Sequence, residues 1–141
     1  MSQRNIAELS AEECAERLAT EVVGRLVYMG EDGPTAVPVN FALDGNAIVF
    51  RVEHGTKTAA LAGPVAFEVD RIDPAARSGW SVLVRGTCRE VDLEEVPAML
   101  RRMDGRFPAP WAEGPHNTWR VIDPTMVTGR QLGEAFYAPL I

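Results

Sequence analysis

The chain has 141 residues, of which 46% are hydrophobic and 24% are charged, as in an ordinary globular domain. Its net charge of −6 argues against a general nucleic-acid surface, which needs a basic face, so we expect no nucleic-acid partner. The charged N-terminus does not fit a signal peptide, and no apolar run is long enough to span a membrane. We therefore expect one domain over residues 1–141, cytoplasmic and without a membrane partner.

Residues that could carry chemistry without a cofactor are sparse. Cys14 and Cys88 have no CxxC spacing and are interpreted as free packing thiols in a reducing compartment. The two histidines, His54 and His116, are more than sixty residues apart, which indicates no metal site. No GxSxG, GxGxxG or GxxxxGK pattern is present. An enzyme with this sequence would need a bound cofactor to carry its reaction.

The first half of the chain predicts one helix and an antiparallel meander. Ser10 and Glu13 form a capping-box pattern, which begins a helix that reaches about Ala19. Alternating and β-branched residues joined by glycine-containing turns then predict three strands, over residues 22–29, 34–43 and 46–52.

Pro38 lies inside the second of these strands, where it cannot donate a ladder hydrogen bond. The sequence therefore places Pro38 at an edge, a bulge or a split in the sheet. Asn40 lies two residues later and faces the same side. This edge could accommodate a flat ligand, or it could be a blunted edge with a hydrogen-bonded asparagine.

The stretch from Arg51 to Lys57 is a candidate anion site. Thr56 and Lys57 stand at the start of an expected short helix over residues 58–61, where free amide groups and the positive end of the helix dipole favour an anion. Arg51, one short loop earlier, could supply a planar guanidinium to the same anion. The alternative is that Thr56 only caps a helix and that Lys57 is a solvated surface lysine.

The longest predicted strand covers residues 80–91, after a short strand at 65–70 and a polar loop at 72–79. Both faces of this strand carry large side chains. One face has Trp80, Val82, Val84 and Cys88, and the other has Ser81, Leu83, Arg85, Thr87 and Arg89. Gly86 interrupts the apolar face and predicts a bulge or a close backbone approach. We expect the barrel interior on one side of this strand and a partner subunit on the other.

The last part of the chain predicts a helix and two short strands, over residues 118–122 and 127–132. The helix could begin after a cap at Asp92 or at Pro97 itself. The whole pattern predicts a mainly β fold, a closed or split β-barrel of six to seven antiparallel strands with two to three short helices.

Five segments occur in an order that points to a known family: Val23-Gly24-Arg25-Leu26, Pro38-Val39-Asn40-Phe41, Gly55-Thr56-Lys57, Gly79-Trp80-Ser81-Val82 and Val127-Thr128-Gly129-Arg130. Together they resemble the pyridoxamine 5′-phosphate oxidase-like family of FMN-binding split β-barrels, in its small bacterial branch. The resemblance covers roughly residues 6–132.

The resemblance implies a homodimer that binds two FMN molecules in the clefts between its subunits. It assigns contacts with the isoalloxazine ring to Pro38, Val39 and Asn40. It assigns the 5′-phosphate to Arg51, Thr56 and Lys57, with His54 and Gly55 in the approaching loop. Contacts from the second chain are assigned to Trp80, Ser81 and Val82. Arg130 and Trp111 are further candidates for closing the cleft.

The paired arginine and histidine that bind substrate in true pyridoxamine phosphate oxidases are not found, so the resemblance gives neither the substrate nor a catalytic residue. Two functions stay open. The first is an FMN-dependent oxidoreductase acting on a small organic molecule. The second is a non-catalytic binder or carrier of flavin, a deazaflavin coenzyme or haem.

Overall fold

The computed structural model describes residues 6–53, 55–56, 58, 61–109 and 118–133. Within these ranges the elements are β1 (Ile6–Glu8), α1 (Ala11–Leu18), β2 (Val23–Gly30), β3 (Gly33–Asp44), β4 (Ala47–Val52), β5 (Gly63–Asp73), β6 (Ser78–Glu90), α2 (Val96–Met103) and β7 (Thr118–Leu132). The strands pair antiparallel in the order β1-β7-β4-β3-β2-β5-β6, and β6 also pairs with β7. This last pairing closes the ring, so the predicted mainly β barrel of seven strands is confirmed.

The barrel interior is filled by alternate residues of every long strand. Phe41 and Phe67 meet edge to face at the centre, with their ring centroids 5.1 Å apart. Gly24 makes this packing possible, because a methyl group at its position would overlap the Phe67 ring. The other fully buried residues of this core include Leu26, Ile48, Phe50, Val69, Val82 and Val84.

Helix α1 begins with the predicted capping box. The Glu13 amide donates to Ser10 Oγ at 3.1 Å, and the Ser10 amide donates to Glu13 Oε1 at 2.8 Å. One face of the helix carries Cys14 and Leu18 into the barrel core. The interpretation of this helix as a lid on the barrel is therefore confirmed.

Helix α2 covers part of the barrel's outer face. Met99 and Met103 are buried there against Val49 and Val121, which point away from the barrel interior. The helix begins at Val96 with Pro97 in its first turn, where a missing N–H leaves no hydrogen bond unmade. The predicted start at Pro97 is correct to within one residue, and the start after an Asp92 cap is wrong.

Two further predictions are corrected by the sheet. Half of the expected loop at 72–79 is strand, because β5 runs to Asp73 and β6 begins at Ser78, with a turn at 74–77 between them. The two short strands expected at 118–122 and 127–132 are one strand, β7. Pro124 is accommodated within it because it lies opposite Gly86, where the register of β6 and β7 shifts. The bulge predicted at Gly86 is therefore confirmed.

The loop after β4 and the first strand also differ from expectation. Residues 55, 56 and 58 form turns and bends, so the described part of 55–61 contains no helix. Strand β1 was not predicted, because its three residues are too short for an alternation to be visible.

Both cysteines are free and buried, as interpreted. Burial raises the pKa of the Cys14 thiol and of the Cys88 thiol, which keeps both protonated and unreactive. Among the described residues, neither helix is long or apolar enough to cross a membrane.

Candidate functional site

Strand β3 changes its partner halfway along, and this is where the barrel splits. Residues Gly33–Asn40 pair with β2, whereas Phe41–Asp44 pair with β4. Pro38 lies in the first half, opposite Arg25, on the part of β3 that β4 does not cover in the described pairing. A proline is tolerated there because its missing N–H costs no ladder hydrogen bond on that side. The predicted edge position of Pro38 is confirmed.

Three of the predicted ligand contacts lie together on the outer face beside this split. Phe41 of β3 and Phe50 of β4 form a cross-strand pair inside the barrel. Asn40 precedes Phe41 and Arg51 follows Phe50, so Asn40 and Arg51 are neighbours just beyond this pair. Both alternate with core residues and therefore face outward, as does Pro38. Val39 points the other way and packs against the core.

Arg51 is held in place by an aromatic ring. Its guanidinium carbon lies 4.8 Å from the centre of the Trp119 ring, which is its cross-strand neighbour on β7. A cation over a tryptophan face is attracted by the ring quadrupole, typically by about 0.5–2 kcal/mol. The guanidinium is thus positioned at the end of β4 where the chain enters the loop with Thr56.

That loop is built from tight turns. Thr56 Oγ1 donates to the Glu53 carbonyl at 2.8 Å and lies 3.2 Å from Thr58 Oγ1. Gly55 has a φ of 87°, a left-handed conformation that glycine adopts without strain. His54 and Lys57, the other predicted phosphate contacts, lie outside the described residues.

The three residues predicted to reach the cofactor from the second chain do not share a face. Trp80 and Val82 are buried in the barrel core, with 3% and 0% of their surface exposed. Ser81 alternates with them and presents its side chain on the outer face of β6. Ser81 is therefore the member of this set whose side chain lies on the surface available to a ligand or a partner.

Ser81 opens into a polar groove of about 510 Å³ on the outer face of the sheet. Leu83 and Arg85 continue the lining along β6, Arg130 lies opposite Ser81 on β7, and Glu68 lies opposite Leu83 on β5. Neither Arg85 nor Arg130 forms an ion pair within the described part of the chain. The groove thus offers two guanidinium groups and a hydroxyl, which suit an anionic ligand.

Glu68, which lines this groove, shares a single guanidinium with a second carboxylate, Asp70. Arg25 Nη1 lies 3.1 Å from Glu68 Oε1 and 3.2 Å from Asp70 Oδ2. Partial burial and contact with Asp70 raise the pKa of Glu68 to about 7, against the opposing effect of Arg25. Glu68 is therefore the described carboxyl group whose charge changes near neutral pH.

Sequence reasoning missed several residues that line this surface: Glu68, Arg85, Thr128 and, as the support of Arg51, Trp119. The available signal was alternation. Glu68 stands between two core residues of its strand, Phe67 and Val69, so it could have been placed on the outer face, as Arg85 was. Which outer faces lie side by side depends on strand order, which the sequence did not reveal. Trp111, the other expected cleft residue, lies outside the described residues.

The described residues contain no group of three His, Cys, Asp or Glu side chains that could hold a metal ion.

Comparison with known proteins gives one family and several close folds. Residues 10–131 match the family model described as pyridoxamine 5′-phosphate oxidase. The Mycobacterium tuberculosis protein Rv0080, whose function is uncharacterised, is 35% identical over 135 residues, which are 91% of this chain and 86% of that protein.

Two solved structures illustrate the structural match. The Corynebacterium diphtheriae protein DIP1874, of unknown function, is 34% identical with a TM-score of 0.72, over 91% of this chain and 98% of that one. The FAD binding protein from Mycobacterium smegmatis is 29% identical with a TM-score of 0.67, over 90% of this chain and 98% of that one. The match extends over nearly the whole of each chain.

Proposed function

The chain belongs to the pyridoxamine 5′-phosphate oxidase family, and we propose that it is a flavin-dependent oxidoreductase that uses FMN to act on a small organic molecule. The bound flavin would supply the electron or hydride transfer, because the chain offers no acid–base set that could carry a reaction alone. The observation that carries the proposal is the outer surface beside the barrel split. Pro38, Asn40 and Arg51 face outward there, next to the loop with Thr56.

The phosphate of FMN would be held at the end of β4. Arg51, fixed over Trp119, offers a planar guanidinium, and Thr56 offers a hydroxyl in a turn where a phosphate could also meet backbone amides. Lys57, which follows Thr56 directly in the sequence, would add a second positive charge. These donor types fit a phosphate dianion, which favours charge-assisted hydrogen bonds.

The isoalloxazine ring would lie along the uncovered edge of β3, against Pro38 and Asn40. A second copy of the chain would close this site, with Ser81 and its groove facing the ring. The long β6 strand supports such a homodimer, because one of its faces fills the core and the other lines a groove that includes the half-buried Leu83. The cytoplasm is the compartment in which we place the protein.

FMN and FAD differ in the part of the cofactor that lies beyond the first phosphate. The relative named as an FAD binding protein is 29% identical, and FAD contains the same ring and the same first phosphate as FMN. Mass spectrometry of the flavin released from the purified protein distinguishes FMN, FAD and a deazaflavin directly.

A non-catalytic carrier of flavin, deazaflavin or haem is the second candidate. It is supported by the Mycobacterium smegmatis relative, which is named for binding FAD and not for a reaction. The two candidates differ in one measurement. An oxidoreductase accelerates the reoxidation of its reduced flavin by some acceptor relative to free flavin, whereas a carrier does so for none of a broad panel.

The phosphate assignment is tested by two charge deletions, Arg51→Met and Lys57→Met. Each keeps an aliphatic stem but removes one charge-assisted hydrogen bond, worth about 1.5–3 kcal/mol. We expect FMN affinity to fall by about tenfold to a hundredfold in each variant, at roughly 1.4 kcal/mol per decade. Isothermal titration calorimetry with FMN measures this change.

Riboflavin and a third variant provide the controls. Riboflavin lacks the phosphate and should bind the wild type and both variants equally. Arg101→Met removes an exposed positive charge on α2, which packs on β4 at Val49 but carries none of the predicted phosphate contacts, and should leave FMN affinity unchanged. If Arg51→Met and Lys57→Met bind FMN as tightly as the wild type, or lose riboflavin to the same degree, the phosphate assignment is wrong.

A further inference from the structure

We propose that Glu68 is the proton-exchange residue of the groove, taking up a proton when a molecule bound there gains negative charge and releasing it when that charge is lost. The inference rests on the proposed function for the identity of that molecule, a flavin or its substrate. The evidence for Glu68 itself is a feature of the chain alone, and it can be measured without any flavin.

The geometry sets Glu68 apart from the other described carboxylates. Glu68 and Asp70 are two residues apart on β5, so both side chains project from the same outer face. They share one guanidinium nitrogen, Arg25 Nη1, at 3.1 and 3.2 Å. Their side chains are only 27% and 26% exposed, so water screens the two carboxylates incompletely.

One guanidinium cannot neutralise two carboxylates. When both are ionised, the cluster carries a net negative charge in a partly buried place, and the second ionisation is opposed by the first. A proton on Glu68 removes this repulsion and leaves an ion pair between Arg25 and Asp70. Burial and Asp70 accordingly raise the pKa of Glu68 to about 7, so both forms are populated at neutral pH.

The charged groups that face Glu68 from the surrounding strands also affect the balance between its protonated and ionised forms. Arg25 on β2 favours its ionised form, and Asp70 on β5 favours its protonated form. Across the groove lie Arg85 on β6, Arg130 on β7 and Glu8 on β1. An anion bound to Arg85 and Arg130 would add negative charge near Glu68 and favour uptake of a proton.

Glu68 also lies close to the place proposed for the flavin, where proton exchange would accompany electron transfer. It lines the same groove as Ser81, the outward-facing residue expected to approach the flavin from the second chain. A bound flavin would supply the electron transfer. Glu68 would take up one proton from solvent when negative charge is added in this groove and would release it when that charge leaves, with Arg25 stabilising the carboxylate that remains.

The first test is the titration of Glu68 in the flavin-free protein, followed by ¹³C NMR of the glutamate side-chain carboxyl carbons and assigned with Glu68→Gln. We expect a midpoint near pH 7 rather than near 4.5. Asp70→Asn should lower this midpoint, and Arg25→Gln should raise it. Glu90→Gln, an exposed glutamate of β6 outside the groove, should not change it. A midpoint between pH 4 and 5 would overturn the proposal.

The second test separates proton exchange from a merely structural carboxyl group. The reduction potential of the FMN-loaded protein is measured against pH, which gives the number of protons taken up with each electron pair. Near pH 7 the wild type should take up more protons than Glu68→Gln, by as much as one. Equal uptake in the two proteins contradicts the role of Glu68. A protein that binds no FMN contradicts the proposed function instead, and Glu68 is then decided by the first test.

Discussion

Glu68 couples the stability of the barrel to pH at the scale of a single residue. Its pKa is about 7 in the folded protein and near 4.5 when unfolded, so the folded state holds the proton more tightly. The stabilisation from the protonated form is complete below pH 4.5 and is lost as pH rises to about 7. The free energy of unfolding should therefore fall across this range, relative to a protein without Glu68.

The comparison that isolates this effect is wild type against Glu68→Gln. Between pH 4.5 and pH 7.5 we expect the stability difference to change by on the order of 1–3 kcal/mol, in favour of the glutamine variant at the higher pH. Urea unfolding at several pH values measures it, with Glu90→Gln as the matched control. A difference that stays constant with pH would show that Glu68 titrates normally.

Single residues also show where sequence reasoning works and where it fails. The alternation in β6 correctly separated Trp80 and Val82 from Ser81. The resemblance nevertheless assigned all three to one ligand, although consecutive strand residues project from opposite faces. The same applies to Val39, between Pro38 and Asn40. Contacts taken from a motif need to be filtered by strand geometry before a side chain is given a role.

At the scale of elements, the contact between β2 and β5 depends on a glycine, which has no side chain. Gly24 in β2 lies directly against the Phe67 ring of β5, and a methyl group there would overlap the ring. Gly24→Ala should therefore force a repacking of the Phe41–Phe67 pair and destabilise the protein by about 1–3 kcal/mol. Thermal or urea unfolding measures the change.

A second substitution tests whether the Phe67 ring is the cause. Phe67→Leu is itself destabilising, but it makes room for the alanine, so the double variant should be more stable than the sum of the two single effects. Strict additivity would mean that Gly24 acts through something other than Phe67.

Most elements were visible in the sequence because local signals marked their ends. Ser10 and Glu13 marked α1, and Gly86 marked the bulge of β6. The remaining errors have a common physical reason. Polar residues at 72–79 resemble a loop, yet cross-strand pairing extends β5 to Asp73 and β6 back to Ser78 and leaves only a turn at 74–77. Asp123-Pro124 resembles a break, yet the register shift at Gly86 accommodates it within β7. Cross-strand pairing overrides a local signal in both cases.

At the scale of the whole molecule, strand order decides what the site contains. Pairing of β6 with both β5 and β7 brings Glu68, Ser81 and Arg130 to one groove, although they are distant in sequence. Pairing of β4 with β7 brings Trp119 under Arg51. The order of these strands could be expected only through the family resemblance, and the two parts of the proposed flavin site would meet only in a dimer.

Native mass spectrometry of the purified protein tests this account most directly, because one spectrum reports both the number of chains and the bound flavin. The account predicts a species with the mass of two chains and two FMN molecules, either as purified or after addition of FMN. A spectrum that contains only single chains, or dimers that acquire no flavin when FMN is added, would contradict it.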